Sequence, residues 1–305
     1  MDQTHAIPQH RRASLRTALS CLVAAFAIAI AGCNAAPDIP FAGYGDGYAE
    51  KPDFAQVEHD YPLTPVDLQK LTPKNIKRLD QEQLDQVYAR LTAGPIPDGA
   101  YDGDLVFPKS RDGDRRISEI VGGFRGAVVE FKTVRVESLA RALWKGKVFY
   151  RDQRLLRNRI EDTRLLSPLV GSDMDALPKT DFDGDDQWLL FPARLYCGQS
   201  LIDSRRESII IDYAFSDTLP GYREKPDFLA GRNGLQVRDE IRMVRPGFYL
   251  GRAYIGRVFL LDFTLYNKDV AERDGPAFAQ SGEAAEDCWT GTQERRLVAA
   301  TEYGG

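Results

Sequence analysis

Hydrophobic and polar positions change their spacing three times along this chain. From Thr17 to Ala31, fifteen residues of Ala, Leu, Val, Phe and Ile character run without a charge behind Arg11, Arg12 and Arg16. Between Pro65 and Leu91 the period is helical: Leu68 and Leu71, then Leu84, Val87, Tyr88 and Leu91 at i, i+3, i+4 and i+7, with Asp80 placed as an N-cap. That spacing predicts an amphipathic helical hairpin over 65–93, stopped by Gly94-Pro95-Ile96-Pro97-Asp98-Gly99. A further helix is predicted from Val136 to Trp144, with Val136, Leu139, Ala140 and Leu143 on one face.

The rest reads as strand. Ala100–Pro108 opens this region, followed by Lys147–Arg151, Leu155–Ile160, Trp188–Tyr196, Glu207–Phe215, Glu240–Val244, Gly247–Ile255 and Arg257–Tyr266, all short, β-branched or aromatic, and bounded by turn residues. Tight turns between consecutive strands make them antiparallel, and such a set avoids free edges by curling into a barrel or half-barrel. Helices between strands, which a doubly wound sheet requires, are missing here. The expected fold is therefore mainly β (α+β): an antiparallel β-barrel or half-barrel over 94–267 with an N-terminal helical hairpin. Residues 33–64, rich in Pro, Gly, Asp and Tyr, read as a disordered tether, and 268–305 as a C-terminal tail.

The apolar run near the N-terminus is shorter than the roughly 20 residues a helix needs to span a bilayer, and with its basic flank it has the form of a signal sequence over 1–32. It ends in Ile30-Ala31-Gly32-Cys33, which resembles the bacterial lipobox. That resemblance implies lipidation of Cys33 and an anchor in the membrane, and Asn34 in place of the Asp that retains such lipoproteins at the inner membrane implies the periplasmic face of the outer membrane. The alternative is an ordinary secretory signal with Cys33 a bystander. Cys21 would leave with the signal and Cys33 would carry lipid, so Cys197 and Cys288 remain as an even pair in an oxidising compartment, predicting a disulfide; two buried free thiols are the alternative.

Charge narrows the partners. The chain has 40 basic and 45 acidic residues; removing 1–32 takes three Arg and one Asp, leaving 37 and 44 and a net charge of −7. An acidic surface offers no field for nucleic acid.

Candidate chemistry is sparse. His59, in the tether, is the only histidine after the signal, so a Ser-His-acid triad lacks its base, and zinc or haem lacks ligands; no metal and no cofactor are expected. No phosphate-binding Gly-rich loop occurs. Asp181-Phe-Asp183-Gly-Asp185-Asp186 concentrates carboxylates without calcium-loop spacing and reads as a solvated acidic turn, weak calcium binding being the other reading. In Arg238–Arg245, alternation puts Glu240, Arg242 and Val244 on one face and Ile241, Met243 and Arg245 on the other. If the first face points inward, Glu240 and Arg242 would orient a polar head group in a pocket lined by rings such as Tyr249 and Phe263; if outward, they form a charged surface ladder. Asp203, Asp212 and Asp262 are either paired carboxylates for acid–base work or aspartates closing turns.

Leu143-Trp144-Lys-Gly146-Lys147-Val-Phe149 is similar to the Trp-x-Gly-Lys-x-Phe signature of a bacterial family of unknown function known for an upstream Gly-x-Trp-x-Gly motif. Gly99-Ala-Tyr101-Asp-Gly103 keeps that upstream frame with Tyr101 for Trp. The resemblance spans about 94–266, and the stretch from Leu166 to Gln187 is an insertion against it. It implies a lipocalin-like β-barrel that binds a small molecule, with Tyr101 and Trp144 facing the pocket or serving as core. Three functions are carried forward: a lipid-anchored protein binding a hydrophobic or amphipathic small molecule without catalysis, an envelope scaffold docking a protein partner through an exposed Leu84/Val87/Leu91 face, and an enzyme built on carboxylates.

Overall fold

The computed structural model describes residues 35–43, 53–107, 143–161, 177, 179–182 and 184–291. Cys33, the signal sequence expected over 1–32 and most of the helix predicted over Val136–Trp144 lie outside the described residues. Among the described residues, four helices, α1 (Phe54–Asp60), α2 (Pro65–Lys70), α3 (Gln81–Arg90) and α4 (Lys268–Ser281), and a four-residue helical turn at Glu224–Asp227 accompany nine strands. The strands are β1 (Gly99–Val106), β2 (Trp144–Tyr150), β3 (Leu155–Ile160), β4 (Lys179–Phe182), β5 (Asp185–Gln199), β6 (Glu207–Asp212), β7 (Val237–Arg245), β8 (Phe248–Ile255) and β9 (Val258–Tyr266).

Every strand pairing is antiparallel, and eight strands close into a barrel. The ring runs β1-β2-β3-β5-β6-β7-β8-β9 and returns to β1, an up-and-down order in which chain neighbours are spatial neighbours. Closure depends on β5, which is long enough to serve two partners. Its first half pairs with β3 from Trp188 to Arg194, and its second half pairs with β6 from Arg194 to Gln199. The bend falls at Phe191-Pro192, where the β3–β5 register shifts and Phe191 takes a φ of 51°. A proline, lacking an N–H for the ladder, is tolerated at such a bulge. β4 hangs on β5 outside the ring, pairing Phe182 with Asp185 and Asp181 with Asp186, so the acidic stretch is the exposed turn of a hairpin.

The interior is filled by the inward phase of each strand, including Phe149, Leu156, Ala193, Ile209, Ile211, Ile241, Met243 and Leu265. On the outside, α3 lies over β7 and β8, burying Leu84, Val87, Tyr88 and Leu91 with Val244, Phe248 and Leu250. Asp80 caps α3 as its position predicted, completing a capping box with Gln83. The hairpin expected over 65–93 is built as the six-residue α2, a 3-10 turn at Ile76–Arg78 and the ten-residue α3.

Three expectations are corrected. The stretch 33–64 is not featureless, because Asp53 caps α1, Val57 is buried, and Arg90 donates to the Pro40 carbonyl (2.9 Å). The C-terminal part opens with α4, capped by Asn267 and ended by Gly282, with Phe278 buried. Trp144 begins a strand instead of ending a helix, since its backbone pairs with Ile160. Cys197 and Cys288 form a disulfide. It draws the segment after α4 against the barrel, where Glu286 and Asp287 accept the Gly94 and Ile96 backbone N–H groups, each at 2.8 Å.

Candidate functional site

A cavity of about 340 Å³ occupies one end of the barrel interior. Its walls are Leu105 from β1, Trp144 from β2, Ile160 from β3, Ala253 from β8, and Leu261 and Phe263 from β9. Leu229, Ala230 and Leu235, from the connection between β6 and β7, complete the rim, where Leu235 is half exposed. That connection is fixed to the wall through buried Asp227, which accepts the N–H of Phe191 at the β5 bulge (2.7 Å) and that of Arg223 (3.0 Å). Burial pushes the Asp227 carboxyl above the usual aspartate value.

Two glycines make room for the aromatic wall. A Cβ on Gly103 would lie 2.3 Å from the Trp144 ring, and one on Gly251 would lie 2.2 Å from the Phe263 ring. With both side chains absent, the two rings meet edge to face at 5.7 Å. A register shift between Trp144 and Gly146 marks the irregular start of β2 beside that ring.

Four buried polar side chains gather on this wall: Lys147, Asn158, Tyr213 and Asp239. The Lys147 ammonium donates to Asn158 Oδ1 (2.8 Å), to the Tyr213 hydroxyl (2.7 Å) and to Asp239 Oδ2 (3.0 Å). Asn158 accepts the Trp144 indole N–H as well (2.9 Å) and donates to the Phe191 carbonyl and to Tyr213 (both 3.0 Å). Tyr213 in turn donates to Asp239 Oδ2 (3.2 Å). The ammonium also sits 5.3–5.4 Å from the centres of the Trp144, Tyr213 and Phe263 rings. Burial pushes the Lys147 ammonium below the usual lysine value while Asp239 pulls the other way. Burial and then the Asp239 charge hold the Tyr213 hydroxyl well above the usual phenol value. In chemical terms this is an apolar chamber with one charge-balanced polar cluster in its wall.

The six residues expected at a pocket separate into three places. Trp144 and Phe263 line the cavity. Tyr101 and Tyr249 are interior but belong to the opposite end, packed edge to face at 5.8 Å; the Tyr249 hydroxyl donates to the Pro95 carbonyl (2.6 Å), and burial pushes the Tyr101 hydroxyl up to about 12. They border a second, mixed recess of about 580 Å³ beside α4. Glu240 and Arg242 are not in the barrel at all. They project from its outer wall and are buried by α3 and the 200–206 loop: Arg242 donates to Ser208 Oγ (2.9 Å) and to the Tyr88, Asp203 and Arg206 carbonyls, while Glu240 pairs with Arg238 (3.2 Å) and accepts the Leu201 N–H (2.9 Å). Arg252, also outside, bonds Asp85 (2.6 Å) and lies 3.3 Å from Asp262.

The candidate acid–base carboxylates are likewise apart from the cavity. Asp203 pairs with Arg205 (2.9 Å), Asp212 accepts from Tyr196 (2.8 Å), and Asp262 accepts from Gln81 (2.8 Å). Among the described residues, one set of side chains places metal-ligating atoms together, Cys197, Glu207 and Cys288, and both of its sulfurs are in the disulfide. Lys147, Asn158, Tyr213 and Asp239 were missed by sequence reasoning. A signal existed: each shares its strand phase with inward apolar residues, as Lys147 does with Phe149 and Asp239 with Ile241.

No protein-family model matches the chain, and comparison with curated proteins finds no match. Among solved structures, a crystal structure of a protein from Thermomonospora curvata is 16% identical and covers 62% of this chain and 88% of its own, with a TM-score of 0.30, a likeness too slight to bear on function.

Proposed function

We propose that this protein is a lipid-anchored envelope lipoprotein that holds a hydrophobic or amphipathic small molecule in its barrel. The cavity carries the reading. It is concave, walled by Leu, Ile, Ala, Trp and Phe side chains, reached past the half-exposed Leu235, and of a size at the lower end of small-molecule sites, about 300–1,000 Å³. Its one carboxylate, Asp239, is engaged by Lys147 and Tyr213, which favours binding over acid–base turnover. The scaffold reading loses the feature that would have favoured it, because Leu84, Val87 and Leu91 are buried against the barrel wall.

The anchor rests on Ile30-Ala31-Gly32-Cys33 alone, and the outer-membrane assignment on Asn34. Two acyl chains hold a protein at a bilayer stably, and among the described residues no helix is long and apolar enough to cross one. Cys33→Ser should abolish palmitate incorporation and release the protein from membranes; unchanged labelling removes the anchor. For the cavity, the protein is expressed in a periplasm behind a non-lipoprotein signal and analysed by native mass spectrometry with solvent extraction. A stoichiometric apolar molecule is the expected result, and an empty barrel that captures an envelope protein instead would overturn the carrier reading.

A further inference from the structure

The polar cluster in the cavity wall narrows what the chamber can hold, given that it is a binding chamber at all. All three N–H groups of the Lys147 ammonium have acceptors, on Asn158, Tyr213 and Asp239. The Asn158 amide is satisfied at both ends, and the Tyr213 hydroxyl spends its proton on Asp239. The cluster thus presents no spare donor to a ligand. It is also balanced in charge: one cation and one anion 3.0 Å apart, both buried, with the ammonium set among three aromatic rings.

We infer that the chamber selects uncharged molecules and rejects carboxylates of the same length. A fatty-acid carboxylate approaching Lys147 must displace Asp239 or an internal hydrogen bond, and it brings a second negative charge beside a buried aspartate. A cation approaching Asp239 meets Lys147 in the same way. In a low-dielectric site each of these leaves a charge uncompensated, which is how a site discriminates by repulsion as well as by fit. A neutral alkyl or isoprenoid chain, or an alcohol whose hydroxyl stays at the rim, loses nothing.

The test uses N-phenyl-1-naphthylamine, an uncharged probe whose fluorescence rises in apolar sites, displaced by decan-1-ol or by decanoate at pH 8. The wild-type protein should bind the probe, and decan-1-ol should displace it at least about tenfold more effectively than decanoate. Equal or better displacement by decanoate overturns the selectivity while leaving the chamber intact. A protein that binds no probe overturns both the selectivity and the carrier reading beneath it. In Asp239→Asn, confirmed as folded by circular dichroism, Lys147 has no counter-charge, and the preference should move toward decanoate by about tenfold or more, the shift growing as pH is lowered from 8 and the ammonium form is favoured. A folded Asp239→Asn variant with the wild-type preference also overturns the inference.

Discussion

At Gly103 an added methyl group would enter the Trp144 ring, and the neighbouring Gly146 backbone leaves it no other direction. Gly103→Ala is therefore expected to cost about 1–3 kcal/mol in urea unfolding, as overpacking does. Trp144→Leu in the same chain should recover part of that loss, and strict additivity of the two changes would contradict the steric account. At Lys147 the penalty is electrostatic. Lys147→Met leaves Asp239 buried without its counter-ion and should cost about 3–5 kcal/mol, whereas Lys147→Met combined with Asp239→Leu should be markedly more stable than either single variant. A double variant no better than the worse single one would show that the pair is not the unit. These residues were partly legible. The strands read over Ala100–Pro108 and Lys147–Arg151 overlap β1 and β2, but β7 carries apolar residues in both phases, Ile241 and Met243 inward, Val244 outward beneath α3. Alternation alone gave no sign of which phase faced the lumen. For Glu240 and Arg242 the alternation left an inward pocket and an outward charged ladder both open; the face is outward, and α3 and the 200–206 loop cover it in place of water.

Among elements, short strands rich in β-branched and aromatic residues and bounded by turn residues were the most readable, although most of them are buried on both faces. Leu155–Ile160 coincides with β3, and the segments read near β5 to β9 each overlap an observed strand. β4 escaped because its residues are exposed or only half buried and its neighbours are carboxylates, so no period marks it. The stretch after α4 has no period either. It is held by carboxylate-to-backbone bonds and the disulfide, which no local pattern announces. Glu286 in that stretch supplies a pH dependence. Burial raises its carboxyl above the ordinary value of 4.5, against the bonds from Thr92 and Gly94. The folded chain then keeps the proton to higher pH than the unfolded chain does. Between 4.5 and the raised value it binds more protons, so its stability falls as pH rises through that window and levels off above it. Glu286→Gln cannot titrate; the stability difference between variant and wild type should change across that window alone. A difference that stays flat from about pH 4 to 7 would show that the carboxyl titrates alike in both states.

For the whole molecule, the disulfide links residues 91 apart and closes the C-terminal segment onto β5. Replacing both cysteines with serine is expected to lower stability by about 2–5 kcal/mol. A reductant should shift the wild-type melting temperature downward and leave the double variant unmoved; an unmoved wild type would mean that the link constrains nothing. The barrel has a kinetic consequence as well. β7, β8 and β9 form a run of neighbours joined by two-residue turns at 246–247 and 256–257, so their pairings close cheaply, one hairpin after another. The ring is completed only when Leu105 meets Phe263 and when β3 meets the bulged half of β5, contacts whose partners are distant in sequence or interrupted in register. Such pairings come late in folding and open early. Native-state hydrogen exchange should therefore find amides of the β3–β5 seam opening at lower free energy than those of β7 and β8, so that the barrel parts first along one line beside the chamber. Uniform protection around the ring would contradict this. A seam that opens before the rest unfolds is a route by which a chain-like guest could slip in sideways while most of the wall stays standing.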